Sequence, residues 1–331
     1  MPETRLDVLA IGDAVVDVIA RADDAFLAEE GLVKGSMQVL DAAGATRLYA
    51  KMGNARETSG GSAANTVAGV AALGGRAGFV GQVAADQLGD IFTHDIRALG
   101  VEFETPAKAD GLPTGRCLIL VTPDAQRTMN TFRGAAHELS AEALDPEQIQ
   151  GAAILYLEAY LWRSAGPRAA MEQAMTIAHE AGRKVAFTLS DIACIAPHRA
   201  EMIAMLDAGA IDLLFANENE ICELAGLGDR DASIAAIQDK VPLLVVTCGA
   251  EGALAVETGR RVAVPVARIG GDIVDTTGAG DLFAAGFLVG QAEGRSIEES
   301  LRIGSISAAE VISHFGARPE ADLRALVDRL L

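Results

Sequence analysis

The stretch IVDTTGAGDLFAAGFL, residues 273–288, places two aspartates, two threonines and a Gly-Ala-Gly turn directly before an apolar run. The run predicts a buried helix, and the glycines predict a tight turn at its start. Because Gly278 and Gly280 carry no side chain, the backbone N–H groups of Ala279, Gly280 and Asp281 can face an anion. The segment therefore predicts either a simple helix cap or a site for negative charge.

The interpretation of this segment as a functional site depends on Asp281. A carboxylate at a helix start is unfavourable for a permanently bound phosphate, but it is compatible with charge that develops only during a reaction. The same carboxylate can remove a proton from a hydroxyl nucleophile. We therefore expect Asp281 to be a general base, and the structural alternative is that it only caps the helix.

The remainder of the chain predicts the fold around this segment. The 331 residues are 50% hydrophobic and 4% aromatic, which is enough apolar sequence for a large core. After residue 152 the apolar runs AAILYLEA, KVAFTLS, IDLLFAN and PLLVVTCG alternate with helical stretches. This alternation is typical of an α/β fold with a doubly wound, mostly parallel sheet and helices on both faces. Ligands of such sheets bind at the carboxyl ends of the strands.

Composition limits the classes of partner. The formal net charge of −19 disfavours nucleic acid and anionic membrane as partners. No basic segment precedes a long apolar core at the N-terminus, and no apolar run reaches about 18 residues. No CxxC pair occurs, so we expect free thiols at Cys117, Cys194, Cys222 and Cys248. These features favour a cytoplasmic protein.

Polar side chains follow the predicted strand IDLLF in the segment NENE. Carboxylate and amide oxygens at Asn217, Asn219 and Glu220 suit Mg²⁺ and its bound waters. The alternative is an ordinary helix start, where Asn and Glu are common.

The segment TSGGSAANTVAGVAALGG predicts a glycine turn followed by a helix from about Ser62 to Gly74. Gly60 and Gly61 allow a ligand close to the backbone, and Asn65 offers both donors and an acceptor. The alternative is close packing of a small-residue helix. The segment has neither the Lys-Ser/Thr pair of a P-loop nor the GxGxxG spacing of a dinucleotide fold.

Asp13 and Asp17 in GDAVVDVI lie four residues apart, on one side of an extended segment. Asp17 stands in an apolar stretch, where an unpaired carboxylate is unfavourable. Accepting hydrogen bonds from neighbouring hydroxyls of a sugar would offset that cost. The alternative is an aspartate at the surface or on an edge strand.

Taken in order, these motifs resemble those of the ribokinase-like family of carbohydrate and nucleoside kinases, over essentially residues 1–331. DTTGAGDLFAAGFL is similar to the C-terminal signature of that family, and SGGSAANTVAGVAALGGRAGFVGQVAADQLGD to its N-terminal signature. NENE matches its Asn-x-x-Glu element, and VVTCGAEGALAV resembles its nucleotide-binding strand and turn. The resemblance implies an enzyme that uses ATP and Mg²⁺, with a monovalent cation such as K⁺ as a further expectation.

The resemblance also assigns roles. It implies Asp281 as the base, an anion hole at Gly278, Ala279 and Gly280, and Mg²⁺ bound through water by Glu220. The expected substrate contacts are Asp13, Asp17, Gly61, Asn65, Tyr160 and Asp281. The expected ATP contacts are Asn217, Glu220, Thr247, Gly249, Gly252 and Ser305, and the expected monovalent-cation ligands are Asp275 and the Thr277 carbonyl.

The family fold adds a small β-sheet lid, which we expect at about residues 15–39 and 102–132. Closing a lid expels water, which would otherwise compete for the phosphoryl group. Arg127 and Arg133 match lid-return positions, where they either approach phosphate or remain solvated. We expect a monomer or a homodimer.

Three stretches resemble the adenosine kinase branch: YLEAYLWRSAGP, FTLSDIACIAPHRAEMIAML and RTMNTFRGAAHELS. Tyr160 falls where an aromatic side chain of that branch stacks on the base, and core packing is the alternative for Tyr160 and Trp162. We therefore expect phosphorylation of the 5′-hydroxyl of a purine nucleoside, adenosine above all. A sugar kinase of the ribose or fructose type is the alternative, and a ligand sensor with the kinase fold is the non-enzyme alternative.

Overall fold

The computed structural model describes residues 4–124, 126–270 and 272–331. Its strands are β1 Leu6–Ile11, β2 Val15–Arg21, β3 Met37–Val39, β4 Ala55–Gly60, β5 Ala77–Val80, β6 Val101–Phe103, β7 Gly115–Val121, β8 Arg127–Phe132, β9 Ala152–Glu158, β10 Lys184–Thr188, β11 Leu213–Asn217, β12 Leu243–Thr247, β13 Ala253–Glu257 and β14 Arg260–Val264. Its helices are α1 Asp24–Glu29, α2 Ala42–Lys51, α3 Ser62–Ala72, α4 Gln87–Ala98, α5 Pro146–Gln150, α6 Ala165–Glu180, α7 Ile192–Ile195, α8 Arg199–Asp207, α9 Glu218–Ala225, α10 Arg230–Ile237, α11 Ala279–Ala292, α12 Ile297–Val311 and α13 Leu323–Leu330.

A large sheet forms the centre of the molecule, in the order β14-β13-β12-β11-β10-β9-β1-β5-β6. The strands from β12 to β6 run parallel, and β13 and β14 add an antiparallel hairpin at one edge. Two clusters of buried apolar side chains accompany the sheet. The prediction of a doubly wound, mostly parallel α/β fold is confirmed.

A separate small sheet has the order β3-β8-β7-β2-β4. Leu27 of α1 and Leu48 of α2 are buried in the core cluster that also contains Val16, Val18 and Leu118 of this sheet. Two short helices therefore contribute apolar side chains to the packing of the small sheet.

The predicted range of the small sheet differs from the structure at two points. Residue 102 lies in β6, which pairs with β5 of the large sheet. Strand β4 pairs with β2 in the small sheet, although its sequence ARETSG was outside the predicted range. Two charged residues and a glycine give β4 little intrinsic strand preference, so pairing with β2 determines its conformation.

The four cysteines are free, as predicted: Cys117, Cys194 and Cys248 are buried and Cys222 is half-buried. Within the described residues, none of the helices combines the length and apolarity that crossing a lipid bilayer requires.

Small residues bring α11 close to its neighbours. A Cβ on Gly286 of α11 would lie 2.7 Å from backbone atoms of Ile303 and Gly304 in α12. A Cβ on Gly69 of α3 would lie 2.7 Å from the side chains of Leu282 and Ala285 in α11. These close approaches set the positions of the first turns of α3 and α11, where the polar site residues begin.

We expect Gly286→Ala to lower the free energy of unfolding by about 1–3 kcal/mol, since the added methyl group overlaps backbone atoms of α12. Chemical denaturation measures the change. Gly53→Ala is the control, because a Cβ there meets no heavy atom within 4 Å. Equal midpoints for Gly286→Ala and the wild type would contradict this account of the packing.

Candidate active site

The Asp281 carboxylate lies in the first turn of α11 and is held from α3. Its Oδ1 accepts a hydrogen bond from Ser62 Oγ at 2.6 Å, and its Oδ2 accepts one from Asn65 Nδ2 at 2.9 Å. Burial raises the pKa of Asp281, and the hydrogen bonds from Ser62 and Asn65 oppose that rise. The carboxylate is thus oriented by two donors and is a stronger base than an exposed aspartate.

The turn before α11 leaves backbone amides available. The Gly280 and Asp281 N–H groups have no acceptor among the described residues, and a Cβ on Gly280 would meet open space. Ala279 differs from the prediction, because its N–H donates to the Thr276 carbonyl at 3.2 Å. Gly278 supplies the left-handed turn, with φ of 79°. Two of the three predicted amides therefore remain to face an anion at the helix N-terminus.

Asp17 lies on β2 opposite Thr58 and faces the same cavity as Asn65. A Cβ on Gly60 would lie 2.4 Å from the Asp17 carboxyl carbon, so this carboxylate requires glycine there. Burial raises the pKa of Asp17 to about 6, although Arg318 and Arg127 oppose the rise. The cavity has a volume of about 130 Å³ between the small sheet and residues 315–320.

An ion pair joins the small sheet to the loop before α11. Arg127 Nη2 lies 2.7 Å from Asp275 Oδ2, with side chains 10% and 6% exposed, and Arg127 Nη1 donates to Thr277 Oγ1 at 3.2 Å. The other Asp275 oxygen accepts from the Thr277 N–H and Oγ1, and Gly316 N–H donates to Oδ2. Asp275 thus has a positive partner in this structure, and the monovalent-cation site at Asp275 and the Thr277 carbonyl stays a prediction.

Arg318 is a site residue that the sequence analysis missed. Its guanidinium donates to the Ala64 carbonyl at 2.8 Å and to the Ser59 carbonyl at 2.9 Å. Burial lowers the pKa of Arg318 to about 10, and the carboxylates of Asp17 and Asp281 are among the groups that oppose this shift. The charge therefore stays on Arg318 at neutral pH and partly balances the two carboxylates.

Glu158, at the end of β9, was also missed. It is fully buried, and its Oε1 and Oε2 accept from the backbone N–H groups of Asp13 and Ala63, both at 2.6 Å. Asp13 is buried, and His137 Nε2 lies 3.4 Å from its Oδ1. Gly61, with φ of 99°, packs on the Asp13 carbonyl, where a Cβ would lie at 2.1 Å. The structure thus places the predicted residues Asp13 and Gly61 together.

Asn217 and Glu220 form a reciprocal cap at the start of α9. Asn217 Oδ1 accepts from the Glu220 N–H, while the Asn217 N–H and Nδ2 donate to the two Glu220 carboxylate oxygens. Burial raises the pKa of Glu220 to about 7. No group of three or more potential metal-ligating side chains occurs in the part of the chain that the structure describes. Both Glu220 carboxylate oxygens are thus engaged by Asn217, and water-mediated contact of Glu220 with Mg²⁺ stays a prediction.

The expected ATP contacts other than Asn217 and Glu220 lie at β12, in the turn after it and on α12. Thr247 ends β12, and Gly249 and Gly252 have positive φ in the turn that follows. Ser305 Oγ accepts from the Ala267 N–H at 2.8 Å and lies 3.3 Å from the Pro265 carbonyl. Ser305 thus supports the segment at 265–267, whereas the turn after β12 is at the carboxyl end of the large sheet, where ligands bind.

The two aromatic candidates differ in environment. Trp162 is 2% exposed, donates to Glu201 and packs edge-on against Phe187, so its role is core packing. Tyr160 is half-buried, and its hydroxyl lies 3.4 Å from the Ser190 carbonyl. Tyr160 therefore keeps part of its surface available to a ligand.

Several known kinases are similar to this chain in sequence or in structure. A profile described as pfkB family carbohydrate kinase matches residues 5–323. The solved structure of a probable sugar kinase from Rhizobium etli CFN 42 is 43% identical, with 98% of each chain covered and a TM-score of 0.92. That of adenosine kinase from Sinorhizobium meliloti is 44% identical, covering 98% of this chain and 99% of the other, with a TM-score of 0.91. An ATP-dependent ribose-1-phosphate kinase from Halopiger xanaduensis is 30% identical over 272 residues, covering 81% of this chain and 85% of its own.

We expect Asp17→Asn to stabilise the ligand-free protein above pH 6 by on the order of a few °C in Tm. The pKa of Asp17 is about 6 in the folded protein and has the ordinary value of 3.8 in the unfolded chain. Between these two pH values, the Asp17 carboxyl group is therefore ionised in the unfolded chain but still protonated in the folded protein. The free energy of unfolding of the wild type therefore falls as pH rises through this window and stays lowered above it.

Melting curves of both proteins from pH 4 to pH 8 measure the difference, which should vanish near pH 4. Asp110→Asn, at an exposed position, is the control and should show no such trend. A difference in Tm that is the same at pH 4 and pH 7 would contradict the assignment.

Proposed function

The chain belongs to the pfkB family of carbohydrate kinases, and we propose that it transfers the γ-phosphoryl group of ATP to the 5′-hydroxyl of a purine nucleoside, adenosine above all. The observation that carries the proposal is the Asp281 carboxylate, held by Ser62 and Asn65 beside two backbone amides without acceptors. A base and an anion site that lie within one helical turn are what phosphoryl transfer to an alcohol requires.

In this proposal each residue of the site has its own role in the reaction. Asp281 accepts the proton of the acceptor hydroxyl, and Ser62 and Asn65 keep its oxygens oriented. The N–H groups of Gly280 and Asp281, at the positive end of α11, stabilise the charge that develops on the phosphoryl group. Asp17 accepts hydrogen bonds from hydroxyls of the ribose, which compensates for its burial.

ATP supplies the transferred group, and Mg²⁺ neutralises its phosphate charge. Glu220 would meet Mg²⁺ through water, and Thr247, Gly249 and Gly252 would line the nucleotide. The ion pair between Arg127 and Asp275 holds the small sheet against the large domain, which keeps bulk water from the reacting groups.

The nucleoside acceptor is supported by two observations. One relative at 44% identity over nearly the whole chain is named adenosine kinase. Tyr160 is half-buried, and an aromatic ring at this position is suited to stacking on a base. The activity would place the protein in purine salvage in the cytoplasm, where ATP is available.

A sugar is the second candidate acceptor. A relative at 43% identity is named a probable sugar kinase, and one at 30% identity is named an ATP-dependent ribose-1-phosphate kinase. Asp17 and Asn65 suit both acceptors, because ribose hydroxyls are common to a nucleoside and a free pentose.

A panel of adenosine, inosine, ribose, fructose and ribose 1-phosphate tests the proposal, with ADP release measured in the presence of Mg²⁺. We expect kcat/KM for adenosine to exceed that for ribose and fructose by about fivefold to 150-fold, since base stacking adds on the order of 1–3 kcal/mol beyond the ribose contacts. AMP as the product identifies the 5′-hydroxyl.

A purified Asp281→Asn variant is the control against a contaminating kinase. Faster turnover of a free or phosphorylated sugar than of adenosine would contradict the nucleoside assignment. If ligands raise the Tm but none of them is phosphorylated, the sensor hypothesis replaces the kinase.

A further inference from the structure

Glu158 is a buried acidic side chain with no role in the reaction described above. It has no exposed surface, and burial together with the neighbouring Asp13 carboxylate raises its pKa well above its usual range. A carboxyl group in such a place is unfavourable unless its oxygens are hydrogen-bonded. Both oxygens are engaged, at 2.6 Å, by the N–H groups of Asp13 and Ala63.

These two amides belong to the two chain segments whose residues are proposed to contact the substrate that accepts the phosphoryl group. Asp13 lies in the loop between β1 and β2, which leads to Asp17. Ala63 lies in the first turn of α3, between Ser62 and Gly69, and the same turn carries Asn65. Glu158 therefore bridges the loop between β1 and β2 to the first turn of α3, which orients the Asp281 carboxylate.

The Glu158 carboxyl group is closely packed and has little space in which to move. A Cβ on Gly12 would lie 2.9 Å from the Glu158 carboxyl carbon and 2.5 Å from the Ala63 Cβ. The loop after β1 thus lies directly against both the Glu158 carboxyl group and the start of α3. A shift of this carboxyl group would move both segments together.

We propose that Glu158 is a positioning residue for phosphoryl transfer, because its carboxyl group fixes the first turn of α3 and thereby the orientation of Ser62 and Asn65 against Asp281. The proposal rests on the proposed function for its kinetic consequence, but not for the bridge itself. In either protonation state each carboxyl oxygen keeps a lone pair for an amide N–H, whereas the side-chain nitrogen of glutamine has none. Glu158→Gln therefore breaks one of the two bonds with almost no change in volume.

The first experiment needs no substrate. Hydrogen exchange of the peptide that spans residues 59–66 is compared in the wild type, Glu158→Gln and Asp212→Asn. Asp212 is the matched control, because its carboxylate also accepts a backbone N–H, that of Val185 at 2.7 Å, at the opposite ends of the strands. We expect faster exchange in Glu158→Gln alone, and unchanged exchange in that variant overturns the bridge whatever the protein phosphorylates.

The second experiment measures kinetics with the best acceptor of the panel. We expect Glu158→Gln to lower kcat by about tenfold to a hundredfold while the KM for ATP changes less than about twofold, because a misoriented base affects the transition state most. Asp212→Asn should retain kcat. Faster exchange with an unchanged kcat would overturn the positioning role.

A double variant of Glu158 and Asn65 distinguishes the positioning role of Glu158 from a general loss of stability. If Glu158 acts through the first turn of α3, Glu158→Gln should add little to the loss of kcat already caused by Asn65→Ala. Additive losses would contradict the proposal. A Cβ in Gly12→Ala would overlap both the Glu158 carboxyl group and the Ala63 Cβ, so this variant should reproduce the loss of kcat even if Glu158→Gln does not fold. A wild type without turnover would refute the proposed function, and the exchange experiment would still decide the bridge.

Discussion

The contact between the first turns of α3 and α11 is the interaction on which the rest of the site depends. Ser62 and Asn65 each donate to one oxygen of Asp281, across more than 200 residues of sequence. The contact exists because small residues let the two helices approach, with Gly69 packed against the side chains of Leu282 and Ala285. Helix packing thus fixes the direction of the carboxylate, which lies in the same first turn of α11 as the Gly280 and Asp281 amides.

Charge compensation is the second constraint on the site. The chain carries a net charge of −19, yet two arginines, Arg127 and Arg318, lie beside the carboxylates of Asp17, Asp275 and Asp281. Each arginine comes from a different part of the fold, one from the small sheet and one from the segment after α12. The positive charge therefore also ties these parts to the large domain, because removing one member of a buried ion pair leaves the other uncompensated.

Much of the fold could be predicted from local patterns. Continuous apolar runs marked β1 and β9 to β12, and the glycine turn with its apolar run marked Asp281 and the helix behind it. β4 escaped prediction because its polar, glycine-containing sequence becomes a strand only through pairing with β2. Glu158 and Arg318 escaped because their partners lie 95 to 259 residues away in the sequence, and no local spacing records such contacts. Tertiary packing, not local preference, determines these parts of the site.

The turnover number of Asp281→Asn tests the central claim most directly. Asparagine keeps the size of the side chain but removes the base and its charge, so we expect kcat to fall on the order of a thousandfold, while Tm and acceptor affinity stay close to those of the wild type. Calorimetric titration of the acceptor and a melting curve verify that the variant is folded and binds. A kcat within tenfold of the wild type would contradict the account, because the held carboxylate would then not be the base.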